Sequence, residues 1–494
     1  MRSFLILVFL LVLVPPLVGC GDLAEKPIAT STEPTLAIPK PTQSTPTPLP
    51  ALSIQLVNQD GSSEIESTDS LSVTIIGDNQ PLTNYQYKWY RNGILMSNAK
   101  DAVLTNDEMK TFRGLPEEYT PPSSHKDHTI RGYEFKVEVF KQGDFAGESK
   151  VEIEGLKTSV EMRGINFPTF GNDAYLPTLD DREYRSMENM VSSLHPNWTS
   201  VWALYFMESG NSPKVYPKFE GEPQTLFDAD IIDQINAAHK LGLKVVLDTQ
   251  IWWDIPGQVA VPDLQNLIEP SDAWFDSYKE VLIHRAEIAE STGVELLVIG
   301  DELESTHNRT DKWLELIKVV RENYSGPITY GPIGCHPEWS QHLEQYSWFS
   351  ELDYIGVTAN IEIPKSTDYD PTLSFLINSF NRCAEELEYV SKHFEKPVII
   401  LEAGVPGANG AVFGPGEWDQ TTFDYQEQAD WFDAVLNVFG NQPWVKGIFL
   451  LQWLCYQDIY YTLHPDELVI DNNPSHIAFI FRPTERIIKS WYIP

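Results

Sequence analysis

Glu295-Leu296-Leu297-Val298-Ile299-Gly300-Asp301-Glu302-Leu303-Glu304 runs four apolar residues into a glycine and then into a cluster of acids. A continuous apolar run stopped by a breaker reads as a strand buried on both faces. Carboxylates at the end of such a strand are costly unless that end opens into a wet cleft. Lys396-Pro397-Val398-Ile399-Ile400-Leu401-Glu402-Ala403-Gly404 has the same form, with one acid at its end. In a (β/α)8 barrel the C-terminal ends of all strands meet around one mouth, and catalysis sits there. Two glutamates on two strand ends of one barrel are what retaining glycoside hydrolysis needs, one as acid/base and one as nucleophile. The plainer reading of either acid alone is a helix cap or an arginine partner. That reading has to hold twice, on matching strands, to explain both.

Around these two stretches, residues 157–494 alternate apolar strands with amphipathic helices, which argues for an α/β domain with a parallel sheet. Strands are expected near 160–167, 199–205, 243–249, 295–300, 328–331, 354–358, 398–402 and 445–453. Helices are expected with Tyr184, Met187, Val191 and Leu194 on one face, and from Asp228 with Ile231, Ile235 and Ala238. Others start from Ser271 and Asp311, and a closing helix ends at Trp491-Tyr492. Eight such units make one (β/α)8 TIM barrel with long loops on its mouth.

Residues 51–156 read differently. Leu52, Ile54 and Leu56 alternate, as do Leu71, Val73 and Ile75. Tyr85 to Arg91 is a strand closed by an Asn92-Gly93 turn, and Gln142-Gly143-Asp144 makes another turn. Short alternating strands over about a hundred residues predict a small all-β, immunoglobulin-like sandwich without an inter-sheet disulfide. A spacer and a carbohydrate-binding module both fit, the spacer being the simpler.

Residues 1–20 carry one positive charge, a short apolar run from Phe4 to Val14 and a small-residue exit, the make-up of a signal peptide. Leu17-Val18-Gly19-Cys20 resembles the bacterial lipobox, which implies cleavage before Cys20 and a lipid on its sulfur. Residues 21–50 are rich in Pro, Thr and Ser and read as a disordered tether. The expected location is extracytoplasmic, lipid-anchored at the bacterial cell membrane or surface.

Lys+Arg is 35 against Asp+Glu 71 in 494 residues, a formal charge of −36. That argues against nucleic acid and against basic-patch binding to anionic membranes. Besides Cys20 there are three cysteines, Cys335, Cys383 and Cys455, so at least one is unpaired within the chain. No cluster has zinc spacing, and no metal is expected.

Beyond these physical readings, the 296–306 stretch, with Arg309, Trp313, Arg321 and Gly326-Pro327-Ile328-Thr329-Tyr330, is similar to strand four of glycoside hydrolase family 113, clan A β-mannanases. Leu352-Asp353-Tyr354-Ile355-Gly356-Val357 resembles its strand six, the 396–404 stretch its strand seven and Gly447-Ile448-Phe449-Leu450-Leu451-Gln452-Trp453 its strand eight. The resemblance implies Glu302 as acid/base and Glu402 as nucleophile, with no cofactor. Glu302 must then hold a proton near neutral pH, and Asp301 beside it supplies a like charge that favours this if the side chains converge. Trp453 could floor the pocket under a sugar ring or pack in the core. Trp252, Trp253, Trp418 and Tyr456 are candidates to line subsites. Three positions depart from the family's pattern: Asp301 where Asn or Thr is common, Asp248-Thr249-Gln250 where Lys-Pro-His is common, and Ala359-Asn360 where a tyrosine is common. Asp301, Gln250 and Asn360 are therefore expected to meet the substrate in this chain's own way.

The resulting expectation is a surface-anchored retaining hydrolase of β-linked poly- or oligosaccharide, β-mannan first, acting as a monomer. The alternative keeps the barrel without catalysis, as a glycan-binding surface lipoprotein. A third is a structural envelope protein.

Overall fold

Where the apolar runs end in a breaker, the chain forms parallel strands; where they recur every three to four residues, it forms helices. The computed structural model describes residues 52–111, 128–154, 157–169, 180–219, 225–254, 268–332, 334, 342–359, 363, 371–414, 419–455, 458, 478–479 and 482–492.

The first seven strands are β1 (Ser53–Val57), β2 (Leu71–Ile76), β3 (Tyr85–Arg91), β4 (Ile94–Leu95), β5 (Val103–Leu104), β6 (Glu134–Lys141) and β7 (Asp144–Glu152), with a short helix α1 (Asn106–Thr111). They form two antiparallel sheets, β1-β2-β5 and β4-β3-β6-β7. Asn92 and Gly93 have φ of 52° and 82°, and Gln142 and Gly143 have 55° and 91°. Both pairs close two-residue hairpins, the geometry that matches strand twist. Ile54, Leu56, Leu71 and Val73 of one sheet share a core with Tyr87, Trp89, Phe135 and Val137 of the other.

The barrel strands are β8 (Met162–Asn166), β9 (Trp198–Met207), β10 (Lys244–Trp253), β11 (Leu296–Asp301), β12 (Ile328–Gly331), β13 (Ile355–Thr358) and β14 (Val398–Ala403). A small hairpin, β15 (Ala408–Asn409) and β16 (Asp419–Phe423), precedes the last barrel strand, β17 (Val445–Leu450). All neighbours in the order β12-β11-β10-β9-β8-β17-β14-β13 are parallel. The two ends of that order meet through Asp353 N–H to Ile328 O (3.0 Å), Thr358 N–H to Pro332 O (3.0 Å) and Gly334 N–H to Thr358 O (2.9 Å). These bonds complete a nearly closed (β/α)8 barrel. Around it lie α2 (Asp180–Leu194), α3 (Asp228–Lys240), α4 (Asp272–Thr292), α5 (Thr310–Asn323), α6 (Leu373–Phe394), α7 (Tyr425–Phe439) and α8 (Pro483–Tyr492). Ser271 caps α4 as expected, its side chain accepting from the Trp274 N–H, and Gly293 ends that helix at φ 75°.

Strand alternation divides the barrel's apolar residues cleanly. Val245, Leu247 and Ile251 of β10 face the helices. Val246 joins Met162, Trp198, Leu296, Val298, Ile399, Leu401 and Phe449 in the barrel interior. Trp252 joins Trp202, Leu204, Phe206 and Leu451 nearer the mouth. The two interior clusters leave a polar layer between them, and the candidate site occupies it.

The sandwich does not stand apart from the barrel. One face of α7 presents Gln426, Asp430 and Asp433, all buried. Asp430 accepts from His128 Nδ1 (2.5 Å), the Thr129 N–H (2.9 Å) and Gln426 Nε2 (2.9 Å). Asp433 accepts from Arg131 Nη1 (2.7 Å) and Trp491 Nε1 (2.7 Å). Arg91 of β3 donates to Gln426 Oε1 at 3.1 Å. Gly132, at φ 73°, lets the sandwich approach α8 so closely that a Cβ there would lie 2.2 Å from Arg486 O. The two units keep separate apolar cores and share this buried polar seam.

Cys383 is disulfide-bonded, and Cys455 is a buried thiol. Among the described residues no helix is long and apolar enough to cross a membrane. Cys20, Cys335, Asn360, Trp418 and Tyr456 lie outside the described residues.

Candidate active site

The expected end of the third barrel strand at Thr249 falls short. β10 runs on to Trp253, so Gln250 and Trp252 belong to the strand rather than to the loop after it. The alternation that puts Val246 and Trp252 inside puts Asp248 and Gln250 inside as well. All four are buried.

The two acid-bearing strands reach the interior by another device. Strict alternation would send Asp301 outward with Ile299, and Glu402 outward with Ile400. The register slips before each acid. On β11, Val298 pairs with Thr329 and the next pair is Asp301 with Gly331. On β14, Ile400 pairs with Val357 and the next pair is Glu402 with Thr358. Such irregularities re-aim side chains and recur beside active sites. Asp301 gains the room it needs from Gly331, where a Cβ would lie 2.4 Å from Asp301 Oδ1.

Glu302 follows immediately, with φ of 51°. A glutamate in this left-handed region costs on the order of 1 kcal/mol, and such residues cluster at functional sites. The turn is held by Glu302 N–H to Gly331 O (2.8 Å) and Leu303 N–H to Tyr330 Oη (2.8 Å). Behind it stand His307, bonded to Tyr330 Oη at 2.7 Å, and Trp313 stacked on Trp348 at 4.5 Å. Burial holds His307 neutral, its pKa pushed down to about 3. The turn rests on a dry aromatic bed.

Glu302 and Glu402 share one rim. Thr358 Oγ1 donates to Glu302 Oε1 at 2.8 Å, and Thr358 is the register partner of Glu402. Glu402 in turn accepts from Gln250 Nε2 at 2.7 Å. That amide also lies 3.4 Å from Asp248 Oδ2 and 3.5 Å from Asp301 Oδ2. The carboxylates of Asp248, Asp301 and Glu402 offer oxygens all within 4.8 Å of one another. Two full charges at such a distance repel by roughly 3 kcal/mol at an effective dielectric of about 20. A cation shared by the three would need the place that Gln250 Nε2 already fills, so the trio is not read as a metal site.

The electrostatics follow from this crowding. Burial first, then Glu402, Asp248, Glu302 and Glu304, push Asp301 well above the usual carboxylate range. Burial, with Glu302 adding to it, lifts Asp248 to about 7 against the pull of Gln250. Burial raises Glu302, and the Thr358 hydroxyl partly offsets it. The like-charge push expected between Asp301 and Glu302 acts here, and burial adds to it on both groups.

Of the remaining sequence candidates, Trp453 is 2% exposed, and its Nε1–H donates to Ser186 on α2 at 3.0 Å. It packs in the layer between barrel and helices, which is its core alternative. Trp252 is buried, with Nε1 donating to Gln250 Oε1 at 3.1 Å. Trp253, half-buried, ends β10. Sequence reasoning missed Thr358 and the structural role of Asp248. An acid inside the apolar run Val245-Val246-Leu247-Asp248 was the available signal for the latter.

The family model for Glycoside Hydrolase Family 113 matches residues 169–466. Two solved structures of a GH113 β-1,4-mannanase, one a complex, are each 25% identical, with TM-scores of 0.53. The complex covers 68% of this chain and 99% of its own. The GH113 β-mannanase AaManA from Alicyclobacillus acidocaldarius, in complex with ManMIm, is 24% identical, with a TM-score of 0.51, covering 68% and 96%; at that identity it supports the fold. No curated protein matches the chain. With both glutamates on one barrel rim and a family match running across the strands that carry them, the chain belongs to Glycoside Hydrolase Family 113.

Proposed function

We propose that this glycoside hydrolase cleaves β-linked mannan-type polysaccharide or oligosaccharide with net retention, Glu302 serving as acid/base and Glu402 as nucleophile. The observation that carries the reading is the shared rim: Thr358 bonds Glu302 and lies opposite Glu402, while Gln250 donates to Glu402. A glycosidic oxygen is a poor leaving group and needs a proton. Burial raises the pKa of Glu302, which favours a proton there. Glu402 attacks the anomeric carbon as Glu302 protonates the departing oxygen, giving a glycosyl-enzyme and a free sugar. Water then attacks the anomeric carbon, Glu302 takes its proton, and Glu402 leaves. The β-1,4-mannanase relatives support mannan as the first substrate. The lipobox-like Leu17-Val18-Gly19-Cys20 supports anchoring through a lipid on Cys20 outside the cytoplasm.

The test is kinetic. Glu402→Ala should abolish turnover, with added azide able to attack from the vacated face. Glu302→Ala should still form the glycosyl-enzyme from substrates with good leaving groups, then release it slowly. Either loss should exceed about 10²-fold. Retention should show in the anomer first formed. If wild type turns over no β-glycan while both variants bind glycan as well as wild type does, the protein is a glycan binder and the hydrolase reading fails. Cys20→Ala should move the protein to the soluble fraction; continued membrane retention would refute the anchor.

A further inference from the structure

Glu302 and Thr358 sit on different strands, and the end of β12 between them grips both. Thr358 ends β13 and is buried. Its backbone is committed to β12: the Thr358 N–H donates to Pro332 O at 3.0 Å, and its carbonyl accepts from the Gly334 N–H at 2.9 Å. Gly334 passes so close that a Cβ there would run into Val357. Glu302 hangs from the same strand end through its own N–H, which donates to Gly331 O at 2.8 Å. The two side chains then meet, Thr358 Oγ1 lying 2.8 Å from Glu302 Oε1.

The direction of that bond follows from a second distance. A hydroxyl carries one proton. Thr358 Oγ1 is 2.8 Å from Glu302 Oε1 and 3.4 Å from Pro332 O, and a good O–H···O bond spans about 2.5–3.0 Å. With the Glu302 proton on Oε1, that proton would point at Thr358, whose own proton would have to turn to Pro332 O across the longer gap. With the proton on Oε2, Thr358 donates to Oε1 at 2.8 Å and no bond is given up. Of the two forms of the protonated acid, the second is the better bonded. The ionised form keeps the same donor, now charge-assisted. Asp248 on β10 and Asp301 on β11 feel the charge of Glu302, and Glu402 on β14 lies across the register from Thr358. All three are acids, and when ionised they oppose a charge on Glu302. Among the described residues Thr358 is the group that favours it.

We propose that Thr358 is a positioning residue that grips Glu302 by Oε1 and keeps the acid proton on Oε2, making Oε2 the oxygen that serves the reaction. This rests on the reading of Glu302 as acid/base given above. In the first step the Oε2–H bond breaks and its proton passes to the glycosidic oxygen, which keeps the electron pair of the C–O bond it loses. Glu402 forms the new bond to the anomeric carbon. Glu302 is left ionised, and the Thr358 bond strengthens as that charge develops, so it steadies the transition state more than the ground state. In the second step Oε2 takes the proton of the attacking water.

The experiment compares wild type with Thr358→Val, which keeps the shape and removes the hydroxyl, and Thr358→Ser, which keeps the hydroxyl. Thr358→Ala makes the same comparison should the valine variant not fold. On a soluble β-1,4-mannooligosaccharide, whose leaving oxygen needs the proton, kcat/KM of Thr358→Val should fall about 10- to 100-fold. On a dinitrophenyl β-mannoside, whose leaving group departs unaided, the fall should be far smaller. Loss of the donor disfavours the carboxylate, so the basic limb of the mannooligosaccharide profile should move up by about one pH unit. Thr358→Ser should recover both. Infrared difference spectra of each protein against its Glu302→Gln counterpart report the Glu302 carbonyl whether or not turnover occurs. In the protonated acid that band should rise in frequency in Thr358→Val, where Oε1 has lost its donor, and return in Thr358→Ser. Absence of turnover in wild type refutes the hydrolase reading alone, and the infrared comparison then decides the Thr358 bond by itself. An unmoved carbonyl band or basic limb in Thr358→Val overturns the proposal, as does no recovery in Thr358→Ser. An equal loss on both substrates at every pH, which packing alone would give, overturns it too.

Discussion

Asp433 and Asp301 are the same residue type, 0% and 4% exposed, and the protein treats them in opposite ways. At the seam between sandwich and barrel, Asp433 takes donors from Arg131 and Trp491 at 2.7 Å. Its neighbour Asp430 takes three, from His128, Thr129 and Gln426. Burial pushes Asp430 up, but His128 and the hydrogen bonds pull it back. At the barrel mouth everything acting on Asp301 pushes the same way. Its nearest donor, Gln250, is 3.5 Å away and committed to Glu402. Acids in the seam are satisfied and hold two units together. Asp248 and Asp301 at the mouth are left short of donors, each with one buried oxygen unpartnered among the described residues, which destabilises their charged forms. Each region makes a prediction that the other should fail.

The largest effect on stability should come from the seam. Asp430→Ala leaves His128 and the Thr129 N–H buried without their acceptor, and breaking one partner of a buried pair costs about 3–5 kcal/mol. Chemical denaturation should show that loss, with kcat per folded molecule unchanged. A cost under about 1 kcal/mol would show the seam to be loosely held. The seam also bears on modularity. The sequence suggests a spacer whose deletion leaves catalysis on short soluble substrates intact, and the two units do keep separate apolar cores. Deleting 51–154 nevertheless uncovers Asp430 and Asp433 and removes His128 and Arg131, so the barrel alone should melt several degrees lower.

At the mouth, neutralising an acid should do the reverse. Asp248 ionises near 3.8 when unfolded and near 7 when folded. Below about pH 4 it is protonated in both states and carries no penalty. As pH rises from 4 to 7 the unfolded chain gives up the proton while the folded state keeps it, so stability falls, levelling above 7. The total is a few kcal/mol for a shift of this size. Asp248→Asn should match wild type near pH 4, exceed it at pH 8 and flatten the slope between. Denaturant midpoints across that range decide it. A variant less stable at pH 8 would mean that Asp248 has a partner worth more than its burial costs.

The contrast also explains what the sequence could and could not reveal. Glu302 and Glu402 were legible because an apolar run ending in an acid is unusual enough to demand a wet strand end. Asp228 and Ser271 marked helix starts because capping and charge act locally. Gln426, Asp430 and Asp433 are spaced four and three apart, the pattern of a solvent-facing stripe on a helix. Only the docked sandwich makes them buried. Gln250 looked like a substrate contact after a strand ending at Thr249. Its bond to Glu402 appears only when β10 is seen to continue and the slips on β11 and β14 turn Asp301 and Glu402 inward. Thr358 carried no signal, since its partner lies 56 residues away. Local chemistry was readable, whereas pairings set by register and docking were not.

The smallest effect should come from the oddest position. Asp301→Asn replaces an acid by an amide of the same shape. If Asp301 supplied a negative charge that kept Glu302 protonated, removing it would lower the pKa of Glu302 and move the basic limb of the pH profile to lower pH. The geometry argues otherwise. Burial raises Glu302 and Asp301 alike, and among the described residues no cation lies against Asp301 to favour its charge. Asn is neutral, and so is a protonated aspartic acid. The substitution then changes no charge at neutral pH, and both limbs should stay within a few tenths of a pH unit. kcat/KM should change by less than about tenfold, the scale of one hydrogen bond re-formed with different geometry. Stability at pH 8 should rise, since the amide replaces a buried carboxylate whose one side-chain donor among the described residues is 3.5 Å away. A basic limb that moves down by a full unit would show that Asp301 is charged in the working enzyme. The mouth would then hold its acids by a route other than shared protons, and the contrast with the seam would have to be redrawn.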